Sequence, residues 1–163
     1  CLSRGLGDVY KRQVWEHAVV VKSDHPLAAL SLKKGFELTL EHIASYPIVT
    51  YDKAFSGRLS IDRAFEAQSI RPDVVLEAID ADVIKTYVDV GLGIGIIAGM
   101  AYEPARDSHL VSLPAGHLFG QQTTKVALKS GVFLRDYVYT FISMLNPELD
   151  AERVRNLIEA KQE

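Results

Sequence analysis

The sequence has almost no sulfur chemistry: one cysteine, at position 1, and two methionines among 163 residues. A single thiol makes no internal disulfide and no thiolate metal cluster, which fits a cytoplasmic setting. A surplus of cations is lacking too. Lys and Arg total 18 against 21 Asp and Glu, a formal net charge of -3, whereas phosphate backbones are bound by clustered cations. This stretch alone is not expected to bind nucleic acid. Long apolar runs are also missing: the apolar run Val90 to Ala101 is about half of what a bilayer-spanning helix needs. No G-x-S-x-G elbow, phosphate loop or Cys-His pairing occurs. The histidines, His17, His25, His42, His109 and His117, show no i, i+4 pairing on a helix and no acidic partner at metal-ligand spacing, so they are expected to be solvated or capping. Neither enzyme chemistry nor a cofactor is implied.

What remains is an ordinary globular composition, 48% hydrophobic and 24% charged, in a chain long enough to bury a real core. Val14 to Lys22, VWEHAVVVK, reads as a strand ending at the Ser23-Asp24-His25-Pro26 turn. Thr39 caps a short helix through about Ser45, and Pro47 opens the strand PIVTY. A helix starts near Ser56 with Leu59, Ile61, Ala64 and Phe65 on its apolar face, and Arg71-Pro72 closes it before the strand DVVLEA.

In DADVIKTYVDVGLGIGIIAGMA, residues 80 to 101, Asp80 or Asp82 caps a helix, Gly91 takes a left-handed C-terminal position, and Ile94, Ile96 and Ile97 form a strand buried on both faces. The three glycines follow a helix and enter a strand, the reverse of a dinucleotide loop. Residues 104 to 108 read as a loop, 109 to 113 as a short strand and 114 to 119 as a bend. Thr123 to Lys129 is another strand, and 132 to 145 a helix with Phe133, Tyr137, Phe141, Met144 and Leu145 on one stripe. Asp150 caps a last charged helix. Strands alternating with helices imply crossovers and a largely parallel sheet in an α/β domain.

DADVIKTYV followed by GLGIGIIA, with YPIVTY at 46 to 51, SGR at 56 to 58 and TTK at 123 to 125, resembles the effector-binding domain of LysR-type transcriptional regulators, and within them the CysB type that controls sulfur assimilation and cysteine synthesis. The resemblance runs over about residues 14 to 150. It implies a periplasmic-binding-protein-like (type II) fold, two α/β subdomains around a ligand cleft. Residues 14–117 would be the second subdomain, nearly complete, 118–147 the return into the first, and 148–163 a tail helix, with most of the first subdomain missing. The opening 1–13, CLSRGLGDVYKRQ, does not match the family and reads as a non-native segment. It is not a secretory signal either.

Ser56-Gly57-Arg58 is the best local candidate for ligand contact, because a hydroxyl beside free N–H groups at the positive end of a helix suits a carboxylate or sulfate. Read from the residues alone, Ser56 is a plain N-cap and Trp15 a core indole. The resemblance instead implies that the Ser56 hydroxyl lines the effector cleft and that Trp15 lies beside the bound anion. Thr50 either points into the same cleft or fills a strand position, and Arg58 either serves the ligand or pairs on the surface.

The ligand-binding set is thus Trp15, Thr50, Ser56 and Gly57. The implied effector is a small anion, N-acetylserine with sulfate or thiosulfate competing. Promoter DNA would be met only through an N-terminal domain, and the full-length protein would be a homotetramer. A periplasmic-type solute-binding protein for a small anion is the alternative, since one fold serves both.

Overall fold

A computed structural model describes residues 6–129, 134–145 and 149–159. The elements in chain order are β1 (Leu6–Lys22), α1 (Pro26–Ser31), α2 (Leu40–Ala44), β2 (Ile48–Tyr51), α3 (Ser56–Ala67), β3 (Val74–Ala78), α4 (Ala81–Asp89), β4 (Ile94–Ala98), β5 (Leu110–Pro114), α5 (Gly116–Phe119), β6 (Gln121–Lys129), α6 (Asp136–Leu145) and α7 (Ala151–Glu159). The chain divides into two compact units, one of Trp15–Gln122 and one of Cys1–Val14 with Thr123–Glu163.

In the larger unit the strands lie in the order β3-β2-β4-β1-β5. β2 is parallel to β3 and β4, as crossovers through α3 and α4 require. The expectation of a largely parallel sheet needs correcting at β1, which runs antiparallel to both β4 and β5, with His17 opposite Ala98 and Ala18 opposite Pro114. Alternation of strands with helices gives the direction of strands joined by crossovers but not that of a strand whose partners lie far along the chain, so it misjudged β1. β1 also begins at Leu6, not at Val14.

Side-chain alternation sorts the core into two layers. Val19, Val21, Ile48, Ile94 and Ile96 face α1, α2, α3 and α5 with Leu27, Ile43, Ile61, Phe65 and Phe119. Val20, Val49 and Ile97 face α4 with Ile84 and Val88. Trp15, His17 and Thr50 share the parity of the first set and so belong to the α3 side.

The helix ends follow local chemistry. Thr39 and His42 form a reciprocal capping box at α2, and Asp80 accepts from the Val83 N–H at 2.8 Å to start α4. Gly91 at φ +85° ends α4 in a Schellman motif, with Leu92 N–H on the Tyr87 carbonyl and Gly91 N–H on that of Val88. Gly93 then brings the chain against Pro47, where any Cβ would collide with the Pro47 carbonyl. That carbonyl accepts from Ile94 N–H at 2.9 Å and sets β4 beside β2.

Several expected features differ. α1 is a helix that the reading of residues 23 to 26 as a turn passed over: His25 accepts from Leu27 N–H and Pro26 occupies the first helical position. The bend at 114–119 contains α5. In the smaller unit, α6 begins at Asp136; Phe133 and residue 132 lie outside the described residues, as do 1–5. Its inward residues are Tyr139 and Ile142, packed with Leu149 and Val154 of the α7 region, while Tyr137, Phe141, Met144 and Leu145 are exposed. Within the described residues, the apolar stripe read from the sequence is the exposed face of α6. Asp150 caps α7 through Arg153 N–H at 2.7 Å.

Candidate functional site

α3 follows the loop at 52–55, where Asp52 turns the chain by accepting from Ala54 N–H at 2.8 Å. The N-cap is Phe55, not Ser56 as its hydroxyl suggested; Ser56 is the first helical residue, and no side chain caps the helix. No acid occupies its first turn either. The leading N–H groups of this 12-residue helix therefore keep their partial positive charge without a side-chain acceptor, the condition that favours an anion.

Gly57, the second residue of α3, lies against β1. A Cβ there would stand 3.2 Å from His17 Nε2 and 3.2 Å from Trp15 Cη2. Trp15 and His17 are two apart on one strand and hence on one face; their rings meet edge to face at 5.0 Å, and His17 meets Phe119 in the same way at 5.6 Å. Phe119 packs in turn on Phe65 of α3 at 6.1 Å. On the other flank of α3, Ser56, Leu59, Ser60, Arg63, Phe119 and Gln122 help to line an open groove of about 540 Å³. Trp15, Ser56 and Gly57 are thus gathered around one helix start.

Thr50 stands differently. It is buried, and its hydroxyl donates to the Ile96 carbonyl at 3.3 Å, within the sheet. Arg58 is not a surface pair: its side chain is 5% exposed and donates to Asp62 at 2.7 Å, Glu77 at 2.8 Å and the Tyr51 carbonyl at 2.7 Å. Burial alone would depress its pKa, but the two carboxylates outweigh this and hold it raised. Its charge is thereby committed to fixing α3 on the sheet. A comparable cluster ties α4 to the loop after β4, where Lys85 contacts Asp107 at 2.9 Å, Asp82 at 3.0 Å and the Ala101 carbonyl at 3.0 Å.

His17 is the residue that sequence reading missed. It is 1% exposed, neither solvated nor capping, and neither ring nitrogen has a hydrogen-bond partner among the described residues, although Nε2 lies close against Gly57. Burial drives its pKa down from 6.5 to about 4, with the adjacent Gly57 backbone opposing. The available signal was its position two residues after Trp15. Among the described residues no cluster of His, Cys, Asp and Glu is arranged to hold a metal ion, and no helix is long and apolar enough to cross a membrane.

The LysR substrate binding domain family matches residues 14–150. This chain belongs to that family. It is 50% identical over 149 residues to the HTH-type transcriptional regulator CysB of Burkholderia cenocepacia, covering 91% of this chain and 46% of the regulator. To the regulator SsuR of the same organism it is 52% identical over 144 residues, covering 88% and 45%. The crystal structure of the cofactor-binding domain of the Cbl transcriptional regulator superposes with a TM-score of 0.84 at 37% identity, over 96% of this chain and 66% of that domain. This LysR-family chain thus spans about half the length of the regulators it matches. Its mixed α/β sheet is that of LysR effector-binding domains, a type II periplasmic-binding-protein-like fold.

Proposed function

We propose that the chain is the effector-sensing part of a cytoplasmic LysR-type regulator of sulfur assimilation and cysteine biosynthesis genes, and that it holds a small anion at the start of α3 between Trp15, Ser56 and Gly57. The observation that carries this reading is the uncapped, acid-free N-terminus of α3 brought against Trp15 through Gly57. N-acetylserine, sulfate and thiosulfate suit it, because each offers oxygens to backbone N–H groups. The anion would act by binding one arrangement of the domain better than another. Promoter DNA would be met by an N-terminal domain, in a homotetramer of the whole protein.

Thr50 is the weakest member of the proposed contact set, since its hydroxyl already serves the sheet. The solute-binding alternative shares the fold, but the relatives of 50% and 52% identity bear the names of regulators, which favours the gene-control reading. The test is calorimetric titration of N-acetylserine and of sulfate into a full-length regulator carrying this domain, together with promoter binding. Saturable heat and an altered DNA affinity are expected. Absence of both overturns the assignment.

A further inference from the structure

The Trp15–His17–Gly57 cluster holds a group whose chemistry the fold itself does not use. A neutral imidazole has one N–H donor and one acceptor nitrogen, and burial keeps His17 neutral at ordinary pH. Neither nitrogen finds a partner among the described residues, an arrangement that costs about 1–3 kcal/mol for each buried polar atom left unpaired. An apolar ring would fill the same space between Trp15 and Phe119 without that cost, so the packing gives no reason for a histidine. The nitrogen Nε2 is directed at Gly57, the second residue of a helix whose leading N–H groups have no side-chain acceptor.

We propose that His17 is a ligand-contacting residue of this site, donating its Nε2–H to an oxygen of an anion seated on the first-turn N–H groups of α3. The inference rests on the anion-sensing function proposed above and narrows its ligand class. Arg58, the cation of that turn, is committed to Asp62 and Glu77, so at the helix start itself the anion meets neutral donors, with Arg63 farther along the groove. Such a donor set favours a small, fully ionised oxyanion that only accepts hydrogen bonds, and disfavours one that must donate a proton of its own. Trp15 and Phe119 cover the His17 ring, so the contact requires the half-buried indole to shift. Trp15 is the only tryptophan in the chain, and its fluorescence therefore reports the event.

The experiment is a titration of this chain with sodium sulfate at pH 7.5, read by Trp15 fluorescence, beside thermal melts without sulfate. It uses the wild type, His17→Phe, His17→Leu and His17→Gln. Loss of a hydrogen bond to a charged group weakens binding about tenfold or more. His17→Phe and His17→Leu are expected to melt no lower than the wild type, since they remove unpaired nitrogens, yet to bind sulfate at least tenfold more weakly. His17→Gln keeps a donor and should stay within a fewfold of the wild type. Should the Phe and Leu variants bind sulfate as the wild type does, His17 is a core residue and the inference falls, while the anion site stands. A wild type that binds neither sulfate nor N-acetylserine overturns both.

Discussion

At Gly57 the absence of a side chain is what lets a helix start, an indole and an imidazole meet at one point. A methyl group there would press His17 and Trp15 to give by a few tenths of an ångström, while the helix would gain up to about 1 kcal/mol from alanine. Gly57→Ala should therefore leave the melting temperature almost unchanged and weaken sulfate binding severalfold, which melts and titrations of the same samples would check. His17 also makes stability depend on acid. Its unfolded pKa is near 6.5 and its folded value about 4, so between these limits the unfolded chain binds more protons and stability falls as the pH falls. The loss reaches roughly 3 kcal/mol by pH 4 and should be absent from the pH-dependent denaturation curves of His17→Leu. From sequence, Trp15 could be named only through a family resemblance, whereas Gly57 already stood in a local candidate, Ser56-Gly57-Arg58. The burial of His17 was hidden because period-two alternation gives a residue's face but not what covers it.

At the scale of elements, the two buried cations fasten helices in place, Arg58 holding α3 to the sheet and Lys85 holding α4 to the loop after β4. Lys85→Met would leave Asp107, whose side chain is 9% exposed, without its partner. Because an open groove adjoins this cluster, the expected cost is roughly 2 kcal/mol, between the figures for exposed and deeply buried pairs. Urea midpoints should show that loss, and Lys85→Met combined with Asp107→Asn should recover part of it. Gly93→Ala drives a methyl into the Pro47 carbonyl, so the junction of β2 and β4 must move. We expect it to be the most damaging single methyl addition, read as loss of the cooperative melt. Helices with an Asp or Thr cap and a glycine stop were legible in advance, because those signals are local: Asp80, Gly91, Thr39 and Asp150 all serve as expected. α1 and the N-cap of α3 were not, since a histidine cap and an uncapped start leave no comparable mark.

In the molecule as a whole, Tyr137, Phe141, Met144 and Leu145 form an exposed apolar stripe on α6 of the kind that drives association. The chain is expected to self-associate at micromolar concentration in sedimentation experiments, and Phe141→Ser with Met144→Ser should reduce this without lowering the melting temperature. The α/β class and the three parallel strands β2, β3 and β4 could be read from the alternation of strands with helices, but the direction of β1 could not, since nothing local to residues 14 to 22 states which partners they will find. That placement governs the order of events during synthesis. β1 leaves the ribosome before its antiparallel neighbours, Ile94–Ala98 and Leu110–Pro114, so its backbone groups wait unpaired until most of the larger unit has emerged. Pairing across so long a separation is slow, and a nascent chain stalled before Pro114 should be an aggregation-prone client for chaperones.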